Sequence, residues 1–140
     1  MKGDVLLNPV KVRGFTPLTA RKNKIERKKQ IRDIIKEKIG KDIIKVRKLC
    51  KEKPVFVDVC FYLLKTDDIS RSKKDLDNLM KIVCDSLLTH MIQNNKEEEL
   101  KGLDLINDDS EIYETRCRKK LVETVDKEGF DLMISLSSER

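Results

Sequence analysis

Acidic residues and one lysine recur at helical spacing in the segment Asp75–Asp85, which reads DLDNLMKIVCD. Asp77, Lys81 and Asp85 are each four residues apart, so a helix places them along one side. A second acidic pair, Asp108–Asp109, follows about twenty residues later. Like charges gathered in this way destabilise a fold unless a cation neutralises them. The pattern predicts that the carboxylates hold a divalent metal ion.

The residues around the carboxylates indicate which ion this is. A calcium-binding EF-hand loop needs Gly at its sixth position and Glu at its twelfth, where this chain has Met80 and Ser86. Mg²⁺ instead takes one or two carboxylates, keeps several waters and accepts phosphate oxygens. We therefore expect Mg²⁺, with Mn²⁺ able to substitute. Acidic residues also stabilise a helix N-terminus, which explains Asp75 and partly Asp77 but not Asp85.

Lys81 has two interpretations. Its ammonium group can meet negative charge that develops at a phosphate, or it can orient a water molecule for attack. It can instead form an ordinary ion pair with Asp77 or Asp85, one helical turn away on either side. Both roles are compatible with the spacing.

The elements that must position these side chains suggest one small α+β domain over residues 1–140, with a polar insertion at residues 89–106 that loops out and returns. We expect a mixed sheet of about four strands with two main helices packed on it. Their order is β-α-β-α-β-β. The first half of the chain is predicted to form an edge strand at residues 4–13, a basic amphipathic helix from Thr19 to Ile39 that stops at Gly40, and a buried strand at Pro54–Leu64. The second helix is predicted to start at about Lys73, after the capping box Ser72-x-x-Asp75. Two strands follow, one within SEIYETRCRKKLVE and one after Glu128-Gly129.

Charge is distributed unevenly along the chain. Residues 1–54 hold 18 Lys and Arg against 6 Asp and Glu, and residues 55–140 hold 13 against 19. This asymmetry predicts a polyanionic partner for the basic part and a cation for the acidic part. A solvated Lys/Glu surface is the simpler alternative. With no Trp and 4% aromatic residues, stacking on single-stranded bases is not expected to dominate.

Cysteine and histidine usage excludes other chemistries. Cys50, Cys60, Cys84 and Cys117 lack the spacing of a zinc or redox motif, so we interpret them as reduced packing residues. The single histidine, His90, is expected at the surface, which disfavours a classical zinc site and histidine-based nucleophilic catalysis. The chain has neither a run of 18 apolar residues nor a signal-peptide pattern, so a cytoplasmic location is expected.

The two acidic segments carry a family resemblance. KKDLDNLMKIVCDSLL followed by INDDSEIYETRCRKK resembles the paired signature of the RusA family of Holliday junction resolvases, a D-x-D-N-x-x-K-x-x-x-D helix before an acidic pair that enters a strand. FTPLTARKNKIERKK and PVFVDVCFYLL are similar to the family's threonine-proline turn with basic helix and to its next strand. The resemblance covers most of the chain, although only the acidic segments are specific.

The resemblance implies a Mg²⁺-dependent endodeoxyribonuclease that resolves four-way DNA junctions by paired symmetric nicks in recombination and repair. It also implies a homodimer in the cytoplasm of a bacterial or phage-infected cell. It assigns Asp75, Asp77 and Asp109 to the metal, with Asp108 as a further ligand, and Lys81 as the essential lysine. The nucleic-acid contacts would come from Arg21, Lys22, Lys24, Lys28, Lys29, Arg71, Lys73 and Lys74.

Two departures from the family pattern stand out. The family usually has a short link where this chain has the polar insertion, and it often has a glutamine where this chain has Glu111. Two other functions remain open from the residues alone. One is a Mg²⁺-dependent nuclease or phosphohydrolase without junction preference. The other is a non-catalytic basic DNA-binding module whose acidic cluster only caps a helix and adds surface charge.

Overall fold

The structure is a computed structural model that describes residues 4–17, 24–65, 76–92 and 100–138, with the side chain of Lys24 left out. It has one mixed four-stranded sheet with strand order β1-β4-β2-β3. The helices and strands follow the predicted order with one additional short helix, and the α+β class is confirmed. Their bounds are β1 Val5–Arg13, α1 Lys24–Ile39, α2 Ile43–Cys50, β2 Val55–Leu64, α3 Leu76–Leu87, β3 Ile112–Val122 and β4 Gly129–Leu136.

Strand β2 lies inside the sheet, as its β-branched and aromatic sequence predicts. It pairs with β3 in parallel and with β4 antiparallel. Its alternate residues form the floor of the core, and none of them is more than 1% exposed: Val55, Val57, Val59, Phe61 and Leu63. Because parallel strands need a crossover connection, α3 must pass over the sheet between β2 and β3.

Strand β1 is an edge strand, as Pro9 predicts. It pairs only with β4, and the register shifts between Leu7 and Val10, the stretch that contains Asn8 and Pro9. Proline has no N–H to donate to a ladder, so an edge position with an irregular register accommodates it.

Helix α1 ends where the sequence predicts, and its apolar side faces the core. Ile31 and Ile35 are 5% and 0% exposed, whereas Ile25 is 40% exposed. After Ile39, Gly40 adopts φ of 63°, the left-handed conformation that glycine tolerates best, and a 3-10 turn at Gly40–Asp42 leads into α2. The predicted start at Thr19 lies outside the described residues. The short helix α2 was not predicted; it buries Val46 and Cys50.

Helix α3 shows the predicted division into two faces. Leu79, Met80, Val83 and Leu87 are buried, and Leu76 packs partly buried against the same core. The other face carries the charged residues Asp77, Lys81 and Asp85, of which the first two are exposed. The predicted capping box and the start near Lys73 lie outside the described residues.

The two described ends of the predicted insertion, residues 89–92 and 100–106, lie against each other. Leu88 bridges Ile106 in parallel and His90 bridges Lys101 antiparallel. The returning part is apolar and belongs to the interior, since Leu103 is 1% exposed and Leu105 and Ile106 are fully buried. Gly102 permits this closure, because a Cβ there would lie 2.0 Å from the carbonyl oxygen of Leu88.

All four cysteines are free thiols, in agreement with their predicted packing role. Burial raises the pKa of Cys50 to about 11 and that of Cys84 to about 12, so these thiols are not reactive at neutral pH. Within the described part of the chain, no helix has both the length and the apolar character needed to cross a membrane.

Candidate functional site

The crossover from β2 to β3 determines which acidic residues meet. Strands β2 and β3 pair in parallel from Val55 and Ile112 onwards, with one register shift between Val55 and Phe56. Helix α3 must run back along them to connect the end of one to the start of the other. Its C-terminal half therefore lies near the beginning of β3, immediately after Asp108 and Asp109. Asp77 lies in the first turn of α3, eight residues before Asp85. At a rise of about 1.5 Å per residue, the two are about 12 Å apart along the helix axis.

A cavity of about 460 Å³ opens where these segments meet. Charged residues from three parts of the chain line it: Lys28 from α1, Lys81 and Asp85 from α3, and Asp108 and Asp109 from the turn before β3. The remaining lining residues are Leu88, His90, Met91, Ile92 and Asn107. A polar cavity of this size with converging ionisable groups is the kind of site that binds a small polar ligand or part of a larger one.

Asp85 is neutralised by a residue of another helix. Lys28 Nζ lies 2.9 Å from Asp85 Oδ2, and the two side chains are 13% and 18% exposed. This pair joins α1 to α3 at the wall of the cavity. Lys28, which was predicted to contact DNA, is thus committed to an intramolecular ion pair.

Asp108 and Asp109 form a pair of exposed carboxyl groups that interact with each other. Asp108 caps the 3-10 turn at Asp109–Glu111 and accepts a hydrogen bond of 3.4 Å from Ser110 N. The hydrogen bond with Asp108, partial burial and the charges of Asp108 and Asp85 raise the pKa of Asp109. The hydrogen bonds from Asp109 and Ser110 lower the pKa of Asp108. Asp109 is thus the member of the pair that binds a proton more readily, and a bound cation would neutralise the charge of both carboxylates.

Lys81 is exposed at the cavity and, among the residues that the structure describes, has no ion-pair partner. The alternative of an i, i+4 pair with Asp85 is not realised, because Lys28 occupies that carboxylate. The ammonium group of Lys81 is consequently available to a ligand in the cavity.

The predicted metal ligands are only partly brought together. Asp108 and Asp109 line the cavity, Asp75 lies outside the described residues, and Asp77 is not in the lining. Asp77 instead lies near Cys117, whose pKa burial raises to about 11 with a smaller contribution from the Asp77 charge. Within the described residues no three His, Cys, Asp or Glu side chains are arranged to hold a metal ion. The described donors for a cation are thus the Asp108–Asp109 pair.

A polar cluster centred on Lys51 supports the turn that carries this pair. Lys51 Nζ contacts Asp104 Oδ1, donates to Asn107 Oδ1 at 2.6 Å and lies 3.5 Å from Thr89 Oγ1. Arg47 Nε donates to the carbonyl oxygen of Leu103 at 3.0 Å. These bonds attach α2 and the residue after it to both ends of the segment that follows α3, at Thr89 and at residues 103–107. Lys51 is therefore a positioning residue rather than part of an open basic surface.

Replacing Lys51 with Met is expected to lower the free energy of unfolding by about 1 kcal/mol, because partial exposure weakens its charged hydrogen bonds. Partial burial raises the pKa of Asp104, but the hydrogen bonds from Lys51 and Thr89 and the charges of Lys51 and Arg47 outweigh this effect and lower the pKa below its usual value. This contribution is complete above the unfolded-state pKa and is lost as the pH falls through the lower folded-state value. Urea unfolding of both proteins at neutral and acidic pH measures the difference; a difference that persists at the lowest pH would contradict the pairing.

Few of the predicted nucleic-acid contacts can be placed. Lys28 pairs with Asp85, and Lys29 Nζ lies 3.5 Å from Glu26 Oε1 in the same helix. The side chain of Lys24 lies outside the described part of the chain. The remaining predicted residues also lie outside it: Arg21, Lys22, Arg71, Lys73 and Lys74. Exposed lysines continue instead along the end of α1 and through α2: Lys36, Lys38, Lys41, Lys45 and Lys48.

Sequence reasoning missed two features of the cavity. His90, expected at the surface, is half-buried and lines the cavity, and Asn107 is held there by Lys51. The NDD sequence gave a local signal for Asn107. His90 gave none, because its position depends on the pairing of the segment after α3 with residues 100–106.

Comparison of the chain with protein-family models, with curated proteins and with solved structures found no match.

Proposed function

We propose that this protein is a Mg²⁺-dependent endodeoxyribonuclease that resolves four-way DNA junctions by paired symmetric nicks. The observation that carries the proposal is the cavity, which joins Lys81 to Asp108 and Asp109 across a sequence separation that local structure cannot bridge. These are the residues that the resemblance to the RusA family assigns to catalysis and metal binding. The exposed lysines at the end of α1 and along α2 support a nucleic-acid substrate.

The donor groups fit the expected ion. Asp108 and Asp109 are hard oxygen ligands whose mutual repulsion a cation would relieve, and Mg²⁺ favours one or two carboxylates together with water and phosphate oxygens. Asp75 and Asp77 remain proposed ligands on the strength of the resemblance. A bound Mg²⁺ would lower the pKa of a water molecule and neutralise charge on the phosphate.

The residues of the chain supply the other requirements. Lys81 has an available ammonium group at the cavity, where it can stabilise the negative charge that develops on the scissile phosphate. The pair of Lys28 and Asp85 holds α1 against α3, so that the helix carrying Lys81 has a defined position relative to the basic surface. A homodimer with two-fold symmetry would present two such cavities to opposing strands of a junction.

The decisive experiment uses labelled synthetic DNA with the purified protein in Mg²⁺, in Mn²⁺ and in EDTA. Paired nicks at symmetric positions of a four-way junction are expected with either metal and not with EDTA. Linear duplex and flap substrates of the same sequence serve as controls. Equal cleavage of all three substrates would indicate a nuclease without junction preference, and absence of cleavage with either metal would contradict the enzymatic proposal.

Replacing Lys41, Lys45 and Lys48 together with Ala is expected to weaken junction binding and to reduce its salt dependence. All three are exposed around the start of the short helix and along it. Each phosphate contact contributes about −0.9 to the slope of log K against log salt concentration, so loss of three contacts would reduce the slope by at most about 2.7.

Binding is measured by fluorescence anisotropy in EDTA over a range of salt concentrations. The double variant Lys65→Ala, Lys127→Ala is the control. Both lysines are exposed and lie at the end of the sheet away from α2, next to the end of β2 and the start of β4. A slope equal to that of the wild type would exclude α2 from the DNA-binding surface.

A further inference from the structure

We infer that His90 is a substrate-binding residue that donates a hydrogen bond from Nε2 to a phosphodiester oxygen in the cavity beside Lys81. This inference rests on the proposed function for its substrate class. It adds a residue that the acidic and basic motifs of the sequence do not contain. The placement of His90, the surroundings of its two ring nitrogens and the charges of the cavity support this role.

The backbone holds His90 at the cavity wall. His90 forms an antiparallel bridge with Lys101, and a backbone hydrogen bond lies on either side: Gly102 N donates to the carbonyl oxygen of Thr89 at 3.1 Å, and Met91 N to that of Leu100 at 2.9 Å. Leu88, two residues before His90, and Met91, directly after it, are 8% and 3% exposed. A residue fixed between buried anchors presents its side chain with little conformational freedom, which favours specific binding.

The two nitrogens of the imidazole are in different surroundings. Nδ1 is buried and has no hydrogen-bond partner. In the neutral ring one nitrogen carries the hydrogen, and a buried N–H without an acceptor is rarer than a buried acceptor without a donor. This favours the tautomer with the hydrogen on Nε2. Because Nδ1 is enclosed, Nε2 is the nitrogen that can contact a molecule in the cavity that His90 lines.

The charges around the cavity favour binding of an anionic group, which would contact a cation site and two hydrogen-bond donors, Lys81 and His90. Lys28 and Asp85 neutralise each other, while Asp108 and Asp109 are the donors available to a cation. Lys81 has an available ammonium group on the same cavity. A phosphodiester group in the cavity would accept hydrogen bonds from Lys81 and from the Nε2–H of His90, and a cation held by Asp108 and Asp109 would neutralise its charge. Such convergence orients a reacting phosphate.

Two variants test this role through DNA cleavage. His90→Ala is expected to lower the nicking rate about 10- to 100-fold, as expected for loss of a hydrogen bond to a charged oxygen. His90→Gln, whose amide NH₂ can replace the Nε2–H donor, is expected to recover most of that loss. Wild-type rates for His90→Ala, or equal losses in both variants, would overturn the inference. Thermal unfolding and the Mg²⁺-dependent shift in Tm are measured for both variants, and neither is expected to change.

A second measurement does not depend on cleavage. Because His90 is the only histidine, its imidazole NMR signals are assigned without ambiguity. Adding dimethyl phosphate in the presence of Mg²⁺ is expected to shift these signals in the wild type and much less in Lys81→Met. Absence of a shift in the wild type would overturn the inference. If the signals shift but no DNA substrate is nicked, the nuclease proposal fails while the phosphodiester site stands.

Discussion

Replacing Asp109 with Asn is expected to reduce DNA nicking by at least about 100-fold, since loss of outer-shell partners of a metal ligand alone costs about 10- to 100-fold. The same change is expected to raise the Tm of the metal-free protein at neutral pH. The pKa of Asp109 is raised, so its stabilising contribution is present at low pH and lost as the pH rises through that value. At neutral pH the ionised group is repelled by Asp108 and Asp85, and Asn relieves this repulsion.

The thermal readout separates metal binding from catalysis. Mg²⁺ at about 100 times its dissociation constant would stabilise the wild type by about 2.7 kcal/mol, whereas Asp109→Asn should lose most of this gain. Asp42→Asn is a suitable control because Asp42 is exposed in the turn before α2, far along the chain from the cavity residues. An unchanged response of Asp109→Asn to Mg²⁺ would remove Asp109 from the metal site.

Replacing Lys81 with Met is expected to lower the rate of nicking by about 100- to 1,000-fold, the range seen when one donor to developing negative charge is removed. Met retains most of the apolar stem but has no charge. Lys81 has no ion-pair partner among the described residues, so its removal should change the Tm little. Single-turnover nicking with saturating protein measures the chemical step separately from binding.

Lys127→Met provides the matched control, because Lys127 is an exposed lysine in the turn before β4. Junction binding in EDTA is expected to stay within a few-fold of wild type for both variants, since one phosphate contact contributes modestly to total affinity. Wild-type nicking by Lys81→Met would show that Lys81 does not take part in catalysis and would contradict its proposed role.

Much of the fold was predictable because local patterns express it directly. The apolar spacing of α3 separated Leu79 and Val83 from Lys81, and the structure confirms that separation. Pro9 indicated an edge strand, and Gly40 marked the end of α1. The short helix α2 was missed because its eight residues contain only a brief apolar pattern among lysines, and short helices depend on tertiary packing for their stability.

The sequence by itself determined the chemistry that the chain carries: acidic pairs, a lysine one helical turn after Asp77, and a basic N-terminal part. Only the tertiary structure decided which of these residues meet. Because β2 and β3 are parallel, α3 runs back over the sheet in the opposite direction. This direction brings Asp85 rather than Asp77 towards Asp109. The same folding commits Lys28 to Asp85 and brings His90 to the cavity. Such contacts join residues far apart in sequence, and no local periodicity encodes them.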